Sequence, residues 1–250
     1  MITRAASQAD LLATRLRALG AVPLLHPAIA IVPPDDLAPL DTAIHQIAQY
    51  DWLIVTSANS VRALFERMRV LGVNPNLANV TIGAVGPATA AALREHGLAP
   101  QLVPDDTVAE GLLAALGDMH GKRVLLPTAD IARETLASGL RERGAHVDAV
   151  IAYRTVPGAG AVSLAPLLAA GTVDAITFTS SSTVRYLLEG LVQTGMNQPD
   201  LVRRLNDLRI VCIGPITAQT ARESGLHVAA EAASATNEGI IAALLMAFTL

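Results

Sequence analysis

The feature that most constrains this chain is that its sequence is written twice. The stretch YDWLIVTSANSVRALFE, residues 50–66, returns as VDAITFTSSSTVRYLLE, residues 173–189. Two further blocks repeat in the same order. Ala5, Leu12, Ala13, Leu16, Arg17, Gly20 and Ala21 recur 124 positions on as Ala129, Leu136, Ala137, Leu140, Arg141, Gly144 and Ala145, and GPATAAALREHGL at 86–98 recurs 128 positions on as GPITAQTARESGL. Glu110-Gly111 returns at that same offset as Glu238-Gly239. One such match is what any two strand-and-helix units share; three in order, at a nearly constant offset, mark a duplication. A chain of 250 residues, 52% of them hydrophobic, has the length for two domains and the material for a core in each.

The repeated unit alternates two kinds of pattern. LIVT at 53, VTIGAV at 80, RVLLP at 123, AITFT at 175 and RIVCIG at 209 read as strands buried on both faces. The segments between them have helical periodicity, and several stop at Gly20, Gly97, Gly144 or Gly225, where a left-handed residue ends a helix. Strands and helices in alternation, with short connections, predict an α/β fold of doubly wound parallel sheets, flavodoxin-like and duplicated, with about five strands per copy. Two extended segments that stop at proline, AIAIVPP at 28–34 and VIAYRTVPG at 150–158, occupy equivalent points of the copies. They read as a two-stranded linker between two lobes.

Ligands of open α/β sheets bind beyond the carboxyl ends of the strands, at helix N-termini. The chain concentrates its small polar groups there. One edge carries Thr56, Ser57, Asn59 and Ser60, and its twin carries Thr179, Ser180, Ser181, Ser182 and Thr183. The sequences Gly86-Pro87-Ala88-Thr89 and Gly214-Pro215-Ile216-Thr217 form a second matched pair, with proline suited to a first helical turn. Any one of these hydroxyls, taken alone, is an ordinary N-cap. Four such edges, two per copy, can also hold carboxylates through hydroxyls, backbone N–H groups and positive helix ends. That matters because the net charge of −4, with no basic run, offers an anion no general attraction and argues against a nucleic-acid surface.

Other chemistries lack their residues. Lys122 is the only lysine, and no Gly-Lys-Ser/Thr phosphate loop is present. The nearest approach to a dinucleotide fingerprint, Gly83-Ala-Val-Gly86, is wrongly spaced, and its twin has Val211 for the first glycine. The six histidines lack metal-ligand spacing, and Cys212, the one cysteine, lies within a strand and reads as core. No metal is expected. Asp51 and Asp174 precede their strands and fall at the end opposite the ligand edges. The start MITRAASQAD has no apolar signal region, and no apolar run approaches the roughly 20 residues of a membrane helix, which predicts a cytoplasmic protein with no membrane partner.

Tyr153 stands out against this background. It lies in the second linker strand where the first has Ile29, and the chain has three tyrosines. A half-buried tyrosine can simply stiffen a strand; a phenol turned toward a ligand can donate a proton or a hydrogen bond.

The set TSANSV, VGPATA, VIAYRTVP, TFTSSSTV and IGPITAQT, in that order, resembles the uroporphyrinogen-III synthase family over essentially the whole chain. The resemblance implies a chain that starts in one lobe, builds the other and returns: residues 1–29 with 158–250 in lobe one, 34–150 in lobe two, and 30–33 and 151–157 as linker strands. It implies a cyclising hydro-lyase, acting as a monomer without metal or organic cofactor, that closes the small-molecule substrate hydroxymethylbilane to uroporphyrinogen III in tetrapyrrole biosynthesis. Ring D is inverted and water is lost. A transient contact with the preceding pathway enzyme is a further partner it suggests. By position the family's linker tyrosine falls on Tyr153, as acid for the departing hydroxyl. Substrate contacts fall on Arg4, Ser57, Asn59, Thr89, Ser180, Ser182 and Thr217. The first strand is clipped to MITR, which predicts a weak sheet edge there. The alternative from another class is a non-catalytic two-lobe protein that closes on a small carboxylate or other anion.

Overall fold

A computed structural model describes residues 1–74 and 77–249; residues 75, 76 and 250 of the expected lobes lie outside the described residues. The chain divides into two compact units, one made of Met1–Ala30 and Val156–Leu250, the other of Ile31–Thr155. In chain order the elements are α1 (Ala6–Ala18), β1 (Ile29–Val32), α2 (Ala38–His45), a 3-10 turn at Ile47–Gln49, β2 (Trp52–Val55), α3 (Ala58–Leu71), β3 (Thr81–Ala84), α4 (Pro87–Glu95), α5 (Ala109–Ala115), β4 (Arg123–Ala129), α6 (Thr135–Glu142) and β5 (His146–Pro157). There follow α7 (Gly160–Ala170), β6 (Ala175–Phe178), α8 (Ser181–Gln193), α9 (Gln198–Asn206), β7 (Arg209–Cys212), α10 (Pro215–Glu223), β8 (Val228–Glu231) and α11 (Asn237–Thr249). The five apolar runs read from the sequence are β2, β3, β4, β6 and β7.

The five-stranded sheet has the order β1-β5-β4-β2-β3, and β5, β4, β2 and β3 pair in parallel. In the first unit the order β6-β7-β8 is also parallel. The two segments read as linker strands are β1 and the far end of β5, neighbours at one side of the five-stranded sheet. The weak edge expected at MITR is not found. Ile2 bridges both Leu25 and Thr177, so it lies inside the row, and the Thr3 hydroxyl donates to the Thr177 carbonyl at 2.6 Å. A short strand is held because it has a partner on each side.

Both sheets are covered on two faces, as strands apolar at every position require. Leu53 and Val55 of β2 share a core with Leu64 and Met68 of α3 and Leu93 of α4. Ile54, between them, turns to the other face, against Leu112 of α5 and Leu136 and Leu140 of α6. In the first unit Ile176, Phe178 and Ile210 pack on Leu187 and Leu201, while Val211 and Ile2 face Leu12 and Ile240. Each such side chain taken fully out of water contributes about 1.5–3 kcal/mol.

The duplication is visible in the backbone. Gly83 bridges Leu102, and their counterparts Val211 and Ala230 pair in the same way. Gly20, Gly97, Gly144 and Gly225 all have positive φ, between 76° and 84°. Each donates to a carbonyl of the helix it follows, and the next residue donates to the carbonyl one position earlier: Gly20 to Arg17 and Ala21 to Leu16, Gly225 to Arg222 and Leu226 to Ala221. This is the Schellman closure, which only glycine enters without strain. The repeated Gly111 and Gly239 have a different reason. A Cβ there would lie 2.1 Å from the Asp106 carbonyl oxygen in one copy and 2.1 Å from that of Ser234 in the other.

Candidate functional site

In each unit two strand-to-helix edges emerge side by side at the carboxyl end of the sheet. In the second unit they are β2 to α3 and β3 to α4; in the first, β6 to α8 and β7 to α10. Parallel pairing of β2 with β3 and of β6 with β7 puts both edges of a unit at one end.

The edge of α3 is capped by Ser57, whose extended backbone lets its Oγ accept from the Ser60 N–H at 3.0 Å. Such a cap contributes about 1 kcal/mol. The same oxygen lies 3.0 Å from Ser60 Oγ and 3.2 Å from the hydroxyl of Tyr153. Asn59 also hydrogen-bonds the phenol. Three residues singled out in the sequence, Ser57, Asn59 and Tyr153, therefore meet at one point. Burial raises the Tyr153 phenol above its ordinary value; the Ser57 and Asn59 hydrogen bonds act the other way, and the negative charge of Asp130 adds to the rise. At neutral pH the group is a protonated phenol, held by these hydrogen bonds but not ionised by them.

Tyr153 reaches that point through an irregularity. Pairing of β5 with β4 runs Thr128 to Ile151 and then Ala129 to Tyr153, so Ala152 is one residue too many. Ile151 is 46% exposed, whereas Ala152 and Tyr153 are both buried. The alternation of a strand has slipped by one, and the tyrosine joins the face that holds Leu53, Val55 and Val61.

The twin edge is closed differently. Ser180 caps α8 and forms a capping box with Thr183: Ser180 Oγ accepts from the Thr183 N–H at 3.2 Å, and Thr183 Oγ1 accepts from the Ser180 N–H at 3.3 Å. Ser182 Oγ lies 3.0 Å from Ser180 Oγ. Ser181 reaches across to Thr220 of α10 at 2.7 Å.

The other pair of edges carries no side-chain cap. Gly86 and Gly214 precede α4 and α10 with extended backbones, and Pro87 and Pro215 occupy the first helical position. Thr89 and Thr217 sit in the first turn and are 4% and 5% exposed. Of the four edges, these two leave their first N–H groups to something other than a cap. The Arg4 guanidinium donates to Asn237 Oδ1 at 2.7 Å, at the start of α11.

Sequence reading placed Ser60 and Thr183 at the two edges without singling them out as contacts, and it passed over Asn237 and Asp130. Ser60 and Thr183 carried a stronger signal than their edge position, a hydroxyl three residues after the cap in both copies. Asp130 carried a weaker one, a carboxylate just past the end of a parallel strand. Among the described residues no group of three or more His, Cys, Asp or Glu could hold a metal ion, and no helix is long and apolar enough to cross a membrane. Burial pushes the Cys212 thiol up to about 12, consistent with its place in the core.

The family model described as "Uroporphyrinogen-III synthase HemD" matches residues 10–242. A curated uroporphyrinogen-III synthase of Synechococcus elongatus is 33% identical over 251 residues, spanning 98% of this chain and 93% of the relative. A putative uroporphyrinogen-III synthase of Methanothermobacter thermautotrophicus is 36% identical over 71% of each chain. Among solved structures, a mutant uroporphyrinogen III synthase from Thermus thermophilus matches with a TM-score of 0.70 and 26% identity, covering 99% of this chain and 98% of that one.

Proposed function

Since this chain belongs to the uroporphyrinogen-III synthase family and so to porphyrin biosynthesis, we propose that it closes hydroxymethylbilane to uroporphyrinogen III, with Tyr153 as the proton donor for loss of water. The relatives do not favour the reading as a non-catalytic binding protein. The observation that carries the proposal is the Tyr153 phenol, buried, kept protonated and fixed by Ser57 and Asn59 at a helix N-terminus.

The terminal hydroxymethyl C–O bond breaks as the phenol supplies a proton and water leaves. The resulting azafulvenium cation is attacked by the substituted carbon of ring D, and the spiro intermediate fragments and recloses with that ring inverted. A pyrrole carbon gives up the proton that restores the phenol, so the balance is the loss of one water. The acetate and propionate groups of the substrate dock on the uncapped N-termini of α4 and α10, with Thr89, Thr217, Ser180, Ser182 and Arg4 as further contacts. Positioning carries most of the work, because an electron-rich pyrrole forms the azafulvene readily and the unassisted product is the non-inverted isomer.

Incubation with hydroxymethylbilane followed by isomer analysis tests this. The inverted isomer is expected, at a rate above the spontaneous one. Only the non-inverted isomer, at the spontaneous rate, would overturn the proposal.

A further inference from the structure

The bulge that aims Tyr153 is itself held, and one residue holds it from both sides. The Asp130 N–H donates to the Tyr153 carbonyl at 3.1 Å. Its carboxylate Oδ1 accepts from the Thr155 N–H at 3.0 Å. The two bonds straddle Arg154 and fix the backbone directly after the extra residue, Ala152, where regular pairing of β5 with β4 ends.

Without an anchor at this place, a strand end with one residue to spare has an easy alternative. Sliding the bulge out restores Ala129 opposite Ala152 and turns Tyr153 to the face where Ile151 lies, which is 46% exposed. The phenol then loses Ser57. Asp130 opposes that slip from the β4 side, since its own N–H and its carboxylate together select the bulged register.

We propose that Asp130 is a positioning residue for Tyr153: it clamps the bulge in β5 that turns the phenol onto Ser57. The inference rests on Tyr153 as the proton donor for its effect on rate, but not for its effect on geometry. Asp130 is exposed, so its replacement leaves both cores of the second unit intact. The side chain acts through an oxygen acceptor, so asparagine can replace it and alanine cannot.

The test combines kinetics with a direct view of the ring. Initial rates of inverted-isomer formation are measured for wild type, Asp130→Ala, Asp130→Asn, Tyr153→Phe and the double variant Asp130→Ala/Tyr153→Phe. The same proteins carrying 3-fluorotyrosine are examined by fluorine NMR, with the Tyr153 resonance identified by its loss in Tyr153→Phe. Asp130→Ala is expected to lower kcat about tenfold, the scale of a modest misplacement of a catalytic group, with KM little changed. Asp130→Asn stays near wild type, and the alanine change costs nothing further in the Tyr153→Phe background. The fluorine resonance moves in Asp130→Ala and not in Asp130→Asn. A resonance unmoved by alanine, or an equal loss of rate in both tyrosine backgrounds, overturns the clamp. A Tyr153→Phe enzyme at the wild-type rate overturns the proton-donor role instead, and the resonance then still decides the geometry.

Discussion

The edges β2 to α3 and β6 to α8 began as the same object and now do different things. Both start with a serine that caps its helix, Ser57 in one and Ser180 in the other. In the first unit the hydroxyl three residues on closes a reciprocal box, and the cap's own oxygen turns to Ser182. In the second unit the equivalent positions are Ser60 and Asn59. There the cap oxygen is shared with Ser60, while Tyr153, whose counterpart in the other copy is Ile29, adds a phenol at 3.2 Å. Duplication supplies two equal scaffolds; three substitutions turn one toward helix stability and leave the other able to hold a proton donor.

The sharpest way to break this comparison is Tyr153→Phe. It should lower the rate of inverted-isomer formation about tenfold to a hundredfold, the range for losing a general acid where geometry still helps. It should lower activity more than removal of any single Ser or Thr hydroxyl at the four edges. A rate within twofold of wild type, about the scatter of such assays, would make the two edges equivalent after all. The next effect concerns what has not diverged. Gly111→Ala and Gly239→Ala each drive a methyl into a carbonyl oxygen at 2.1 Å. Each should cost about 1–3 kcal/mol of stability in denaturant unfolding, by a similar amount in the two copies. A loss confined to one of them would show that the copies have parted at that turn too.

These residues also show what could be read without coordinates. Strand positions came from apolar runs, and Gly20, Gly97, Gly144 and Gly225 came from a rule that joins residue type to backbone angle, so both are local properties of the chain. The meeting of Ser57, Asn59 and Tyr153 was half legible: small polar residues in a strand-to-helix turn predict an edge, but not that a residue 96 positions away would arrive there. Asp130 was hidden because its role depends on a single extra residue in a neighbouring strand, and a bulge has no signature in composition or period. Thr89 and Thr217 illustrate the opposite limit. Their motif is clear, yet sequence does not say that both are buried in the first turn of their helices. Arg4 was read as facing the ligand, and a partner seen for its guanidinium is Asn237, 233 residues further on.

A smaller effect separates cap from contact. Ser180→Ala removes one half of a capping box and should cost about 1 kcal/mol of stability with little change in rate. Ser57→Ala should cost a similar amount and also lower the rate about threefold, because a hydrogen bond worth about 0.5–1 kcal/mol to the phenol goes with it. Urea unfolding together with initial rates on the two variants checks this. Equal rate losses in both would mean that Ser57 serves only its helix.

The smallest expected effect is a flat line. A proton donor must be protonated, and burial raises the Tyr153 phenol above its ordinary value of 10.0. The midpoint of its deprotonation therefore lies above 10.0, and the ratio of wild-type to Tyr153→Phe rates should stay constant through the neutral range and fall as pH approaches that midpoint. Stability has the same sign. The unfolded chain gives up this proton at lower pH than the folded one, so folding stability is fully present below 10.0 and declines as pH rises through the folded value. A rate ratio that already falls between pH 7 and 9, about where an unburied phenol stabilised as phenolate by hydrogen-bond donors would start to ionise, would mean that Ser57 and Asn59 outweigh burial. The divergence of the two edges would then have produced an ionisable group where a neutral acid is required.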